Sequence, residues 1–301
     1  MTITQATAVV DCRNLGVRYG RLQALEQVSF LVEPGQVYAL LGRNGSGKTS
    51  LIRCLLGHQK PQTGRVDLFG QAVWSSRRAL MQRVGVVSEE PDAPPLMTPR
   101  QLLKFCAGLY PHWDEAASLE RLQRFRVPME VPFGKLSRGQ KAQLSLTLAL
   151  GPGPELLVLD DPTLGLDAVA RHEVYDELLC ELAERGTTVL IATHDLAGIE
   201  GIADRVGILH GGRLLLDASL EDLKARYRKV SWAPFQALQP GDLVPFGPLR
   251  IHEGSLGGEA VLSQGDPRQL LETGRPDLQV QALSLEELFV TVVGSESEVA
   301  P

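Results

Sequence analysis

The sequence predicts an α/β fold built on a parallel sheet, followed by a smaller α+β domain, and three observations carry that prediction. Val37–Leu41 is an uninterrupted apolar strand that runs straight into a glycine-rich turn and a helix, the pattern of a strand covered on both faces. Beyond residue 150, apolar strands at Leu156–Asp160, Thr188–Ala192 and Val206–Leu209 are separated by a long helical segment, which is the signature of a parallel sheet. Near residue 228 the charge balance changes: residues 231–301 carry 3 basic against 10 acidic side chains, whereas the first 230 balance at 27 against 26. At 301 residues the chain has room for one large domain and one small one.

The elements follow in order. Ala8–Cys12, Gly16–Tyr19 and Val28–Val32 alternate with turn signals and read as short strands of a mixed or antiparallel sheet, closed by Pro34-Gly35. After the Val37–Leu41 strand, a helix is expected from Lys48 to about Leu56, with Gly57 as its C-cap. Thr98-Pro99-Arg100-Gln101 supplies an N-cap, a proline at the first helical position and a glutamine three residues on, ahead of Leu102, Leu103, Phe105 and Cys106; a mainly helical region should run from there to about Leu150. Asp167 is placed to cap a helix over Ala168–Arg185. Ser219 starts a short helix leading to the acidic domain, where Leu249–His252 and Glu259–Leu262 read as strands and Ser284-Leu285-Glu286-Glu287 opens a last helix with a capping box. The expected divisions are 1–228, 229–293 and a mobile tail, 294–301, of small, polar and acidic residues.

Composition excludes several classes. Hydrophobic residues at 44% and charged residues at 22% rule out a disordered or fibrous chain. The longest apolar run, Val37–Leu41, falls far short of the ~20 residues of a membrane span. Met1–Asn14 has no basic segment followed by an apolar one, so no secretory signal is read there. Cys12, Cys54, Cys106 and Cys180 are widely spaced, which argues for reduced thiols in a cytosol rather than a zinc site or disulfides. A net charge of −6, gathered in the C-terminal part, gives no footprint for general nucleic-acid binding, and none is expected.

Three motifs carry chemistry. Gly42-Arg43-Asn44-Gly45-Ser46-Gly47-Lys48-Thr49 has the spacing of a phosphate-binding loop between a strand and a helix: the glycines let backbone N–H groups turn toward phosphates, Lys48 neutralises them, and the Thr49 hydroxyl can reach Mg2+. Leu156–Asp160, continuing into Asp161 and Pro162, ends a buried strand in two carboxylates; Asp160 is placed to hold Mg2+ and Asp161 to orient or deprotonate an attacking water. Leu136-Ser137-Arg138-Gly139-Gln140 puts a serine and a glycine at a helix N-terminus, where free N–H groups favour an anion, though an ordinary helix cap has the same look.

In this order the motifs resemble the ATP-binding subunit of ABC transporters over about residues 8–222. The phosphate loop then corresponds to the Walker A, Leu136–Gln140 to the signature, Leu156–Asp160 to the Walker B, Leu164-Gly165-Leu166-Asp167 to the D-loop and Thr193-His194-Asp195 to the H-loop. The resemblance implies a RecA-like parallel core, an antiparallel β subdomain and a helical signature subdomain at about 96–150. It implies a sandwich dimer in which ATP on the loop of one copy, Gly42 to Thr49 with Ser50 beside it, is closed over by Ser137, Gly139 and Gln140 of the other. Tyr19 matches the aromatic that stacks on adenine, His194 the switch residue at the γ-phosphate, and Asp167 the residue that crosses the interface.

Two departures stand out. The family pattern has Glu after the Walker B aspartate, and here Asp161 is one methylene shorter, which predicts slowed hydrolysis. The Q-loop glutamine falls at Glu89, which can still reach Mg2+ or the water through an oxygen. Glu89–Thr98, rich in proline and carrying Leu96-Met97, is expected to receive a membrane partner. These features are most similar to ATPases of ABC-2 type exporters. The leading expectation is a cytoplasmic ATPase, peripheral on the membrane through its permease, that pairs with a second ATPase subunit. A soluble ABC ATPase acting on ribosomes or DNA, or a nucleotide switch slowed by Asp161, stays open as an alternative.

Overall fold

The computed structural model describes residues 8–233, 240–254, 257–264, 267, 269–270 and 277–297. The chain divides into two compact units, Met1–Asp217 and Ala218–Pro301. The division falls ahead of the boundary near residue 228 expected from charge. Its physical basis is contact rather than composition: Arg226 donates from Nε to the carbonyl of Ser263 at 3.0 Å, which ties the helix before residue 228 into the second unit.

In the first unit, β1 (Val10–Tyr19) and β2 (Leu22–Val32) form an antiparallel hairpin. The three short strands expected from the sequence are two long ones, because register shifts near Asn14 let β1 bend without ending. β3 (Val37–Leu41) and α1 (Lys48–Leu55) follow, with Leu56 as C-cap and Gly57 at φ 64. β4 (Thr63–Leu68) and β5 (Gln71–Ala72) complete a four-stranded sheet in the order β2-β1-β4-β5, and α2 (Val73–Leu80) leads on.

Then come β6 (Val84–Val87), α3 (Pro99–Ala107), α4 (Glu115–Arg124), α5 (Arg138–Leu150), β7 (Leu156–Asp160), α6 (Ala168–Arg185), β8 (Thr188–Thr193), α7 (Leu196–Ile199), β9 (Arg205–His210) and β10 (Arg213–Ser219). The central sheet runs β10-β9-β3-β8-β7-β6, with β9, β3, β8, β7 and β6 paired in parallel. Every residue of β3, β7 and β8 is buried. That fits their unbroken apolar runs, since helices and the antiparallel sheet leave neither face in water. One core joins the two sheets around α1, with Leu51, Ile52 and Leu55 set among Val10, Val28, Leu40 and Val158.

The second unit contains α8 (Leu220–Arg226), β11 (Arg228–Trp232), α9 (Pro240–Leu243), β12 (Pro248–Gly254), β13 (Gly257–Leu262), β14 (Gln279–Ala282) and α10 (Leu285–Ser297). The strands pair antiparallel in the order β12-β13-β11-β14. Val230, Trp232, Phe246, Ala260 and Leu262 build a core of their own. The reciprocal bonds of the Ser284 capping box start α10: Ser284 N donates to Glu287 Oε2 at 3.0 Å and Glu287 N to Ser284 Oγ at 3.2 Å. α10 continues over 294–297, where a mobile tail was expected, and 298–301 lie outside the described residues. Cys12, Cys54, Cys106 and Cys180 are free.

Candidate functional site

The site forms where the central strands end. β3 lies between β8 and β9, and the turn after it carries Gly45 at φ 80 and Gly47 at φ 113. Gly47 is required twice over: its backbone is left-handed, and a Cβ there would lie 2.5 Å from the carbonyl oxygen of Ala24 and 2.8 Å from Leu25 Cδ2. β2 therefore presses the turn into shape from behind. α1 begins at Lys48, so its open N–H groups point into the turn. Lys48 is buried and donates from Nζ to the carbonyl of Gly42 at 2.8 Å. The buried Ser46 Oγ has no hydrogen-bond partner among the described residues. A cavity of about 640 Å3 opens here, lined by Arg43, Asn44, Gly45 and Ser46 on one side and by His194, His210 and Gly211 on the other.

Parallel pairing brings the second half of the site to this turn. Asp160 stands opposite Ala192 in the β7/β8 register, so the next residues of both strands meet. Asp161 donates from its N–H to Ala192 O at 2.7 Å and takes a left-handed φ of 44, which an aspartate tolerates better than most side chains. Its Oδ1 accepts from the His194 N–H at 3.0 Å and lies 2.7 Å from His194 Nδ1. A carboxylate only accepts, so the imidazole proton sits on Nδ1 and Nε2 is the ring atom left for a ligand. Asp161 Oδ2 lies 3.9 Å from Lys48 Nζ.

Asp160 is buried behind this pair. Burial, then the negative charges of Asp161 and Glu89, push its carboxyl up to about 6, against the opposing pull of Lys48 and a hydrogen bond with Thr49. The site is thus rich in carboxylate and short of cation. Two acids face one lysine, and Glu89 adds to their field from an exposed loop.

The structure brings together Lys48, Thr49, Asp160, Asp161 and His194, with Glu89 near enough to act on Asp160. Other expected site residues lie elsewhere on the same chain. Ser137 caps α5, accepting from Gln140 N at 3.2 Å while Gln140 Oε1 accepts from Ser137 N at 3.0 Å. An added Cβ on Gly139 would lie 3.6 Å from Ala170 Cβ, so the start of α5 packs against the start of α6. There Asp167 caps α6 through Oδ1, which accepts from Ala170 N at 2.8 Å. The Arg138 guanidinium lies directly over Gly165. Tyr19 ends β1 with its ring partly exposed, and Ser50 follows on α1.

Sequence reasoning missed His210, whose position at the end of β9 has no motif to mark it. It also missed the contacts that Thr163, Arg171 and Tyr175 make with Asp195.

One buried cation, a turn of backbone donors and a carboxylate pair at the end of a single strand support phosphoryl chemistry, and the protein is a P-loop nucleoside triphosphatase. The family model described as ABC transporter matches residues 25–164. The bacitracin transport ATP-binding protein BcrA of Bacillus licheniformis is 31% identical over 96% of this chain and 98% of its own length. The Nod factor export ATP-binding protein I of Burkholderia orbicola is 32% identical over 97% of this chain and 99% of its own. Among solved structures, an ATP-binding subunit of an ABC transporter superposes with a TM-score of 0.66 at 27% identity, over 72% of this chain and 92% of that one. The chain belongs to the ABC transporter family, as one of its ATP-binding, ATP-hydrolysing subunits.

Proposed function

We propose that this chain powers export through a separate membrane permease, working as a pair of ATPase subunits that close over two ATP molecules. The observation that carries the reading is spatial. Lys48, Asp161 and His194 converge at the phosphate loop, while Ser137, Gly139 and Gln140 are gathered at a second place, on α5 beside α6. A second copy is needed to bring the two halves together.

ATP phosphates would replace Gly42 O and Asp161 as the partners of Lys48, and the N–H groups of the turn would hold them in place. Once Lys48 turns to phosphate, Asp161 is released to accept a proton from a water attacking the γ-phosphorus. The bond from that phosphorus to the bridging oxygen breaks as the water oxygen bonds, and ADP leaves with the electron pair. His194 meets the γ-phosphate through Nε2, Ser137 and Gly139 of the other copy close the far side, and Tyr19 stacks on the adenine. Asp167, at the start of α6, crosses to the other copy.

The donors present fit Mg2+. Asp160, Thr49 and Glu89 offer hard oxygens, and burial, then the charges of Asp161 and Glu89, raise the Asp160 carboxyl, a cost that a bound cation would relieve. When bound, the ion neutralises charge on the β- and γ-phosphate oxygens.

Export is supported by the two relatives, one a bacitracin transport protein and the other a Nod factor export protein, each matched along nearly its whole length. For the permease, Glu89–Thr98 is the docking segment. Leu96 is 85% exposed, and a groove of about 370 Å3 beside the loop is lined by Pro91, Asp92, Cys106 and Tyr110 among others. No helix among the described residues is long and apolar enough to cross a membrane, so attachment at the cytoplasmic face would come through that partner.

Lys48→Ala tests the reading. ATP hydrolysis should fall to background with the melting midpoint unchanged within a few degrees, and parental turnover would remove the phosphate loop from the mechanism.

A further inference from the structure

We infer that Tyr175, on α6, is a positioning residue for the hydrolytic reaction: it holds Asp195 and thereby fixes the backbone that carries His194. The inference rests on the assignment of His194 to the γ-phosphate made above.

Asp195 follows His194 directly and is held from several sides. Its Oδ2 accepts from Tyr175 Oη at 3.0 Å and from Thr163 Oγ1 at 3.4 Å, and Arg171 Nε faces the same oxygen at 3.4 Å. Its Oδ1 accepts from Gly198 N at 3.2 Å, capping α7, and its own N–H donates to Thr193 Oγ1 at 3.0 Å. Tyr175 is buried, which raises its phenol well above the usual range, so the hydroxyl stays a donor at any working pH. The ring is fitted to this place: a Cβ on Gly198 would lie 2.4 Å from Tyr175 Cε2 and 2.7 Å from Asp195 Oδ2. Only a glycine lets ring and carboxylate close on α7 together.

His194 is held by its bonds to Asp161, by its own carbonyl, which accepts from Leu196 N at 3.1 Å beside the Asp195 cap, and by the peptide link to Asp195. When Asp161 turns to the attacking water, the first of these is lost and those at Asp195 remain. Arg171 and Tyr175, four positions apart, share one face of α6, and Asp167, four positions before Arg171, is its N-cap. The face that starts at the Asp167 cap therefore ends at the residue bonded to Asp195, and a shift of α6 is passed to His194. Neither Arg171 nor Tyr175 lines the phosphate cavity. Their action on the reaction runs through position alone.

Tyr175→Phe removes the hydroxyl and leaves the ring seated over Gly198. In the full-length chain, kcat for ATP should fall about 10-fold, the effect of one hydrogen bond to a charged group. KM for ATP and the melting midpoint should stay where they are. Asp195→Asn keeps an oxygen for the Gly198 cap and gives up the one that Tyr175 meets, so it should show the same split. In a His194→Ala background measured by single turnover, Tyr175→Phe should cause no further loss.

Parental kcat in Tyr175→Phe, with His194→Ala impaired, overturns the inference and leaves the reading of His194 standing. An added loss in the His194→Ala background overturns it as well, as does a fall in kcat that tracks a lowered melting midpoint or a raised KM. His194→Ala at parental turnover removes the reading of His194 and this inference with it.

Discussion

At the scale of single residues the site turns on Asp161, which stands where the family pattern has a glutamate. Both of its oxygens face partners, Oδ1 toward His194 and Oδ2 toward Lys48, and its backbone sits in the left-handed region. A one-methylene-longer side chain on the same backbone would reach past this pair toward the cavity, so the short arm both makes these contacts and costs reach. Small misplacements of a reacting group can slow a reaction by up to ~10²-fold. Asp161→Asn should therefore lower kcat at least ~10-fold, because the neutral amide cannot take the proton. Asp161→Glu should turn over as fast as the parent or faster. Phosphate release by the three proteins under saturating ATP checks both, and an Asn protein as fast as the parent would exclude Asp161 as the base.

Among the elements, α4 and α6 are joined by a buried network of ion pairs. Arg121 on α4 donates from Nε to Glu177 and from Nη2 to Glu181 at 3.5 Å, and Arg124 Nη2 donates to the other Glu177 oxygen at 2.5 Å. Arg121, Glu177 and Glu181 are each at most 5% exposed, and burial pushes the Glu181 carboxyl up despite Arg185 and Arg121 beside it. Removing the central cation leaves two desolvated carboxylates, a loss of about 3 kcal/mol even with Arg124 still in place. Arg121→Ala should lower the urea midpoint accordingly at unchanged slope, and an unchanged midpoint would mean that water reaches the carboxylates.

Nothing in the sequence marks this network, because Arg121 and Glu177 stand 56 residues apart and look like solvated charges on two helices. The same holds for Tyr175 and Asp195, and for β4, β6, β11 and β14, whose short or half-exposed stretches carry no clear alternation. What could be read was local. Capping boxes at Thr98, Ser137 and Ser284 and the Asp167 cap form as their residues predict, and the phosphate loop and strand-end carboxylates lie within a few consecutive positions. Contacts between distant segments depend on tertiary placement, which local pattern does not encode.

For the molecule as a whole, the separation of the two half-sites makes a test that no single variant provides. Lys48, Asp160, Asp161 and His194 lie around the phosphate loop, whereas Ser137 and Gly139 lie at the start of α5, packed on Ala170 of α6. In a symmetric pair each copy gives its loop to one site and its signature to the other. Lys48→Ala disables the loop. Ser137→Asp disables the signature by setting a carboxylate against phosphate, yet aspartate is as good an N-cap as serine, so α5 should keep its start. Each variant alone forms pairs in which both sites are broken. A mixed pair combines the intact loop of the Ser137→Asp copy with the intact signature of the Lys48→Ala copy and so has one complete site. Equal mixing should restore about a quarter of parental turnover, since about half of the pairs are mixed and each has one of two sites working. Two inactive proteins that stay inactive on mixing, while each still binds to the other, would place the whole of the chemistry within one copy.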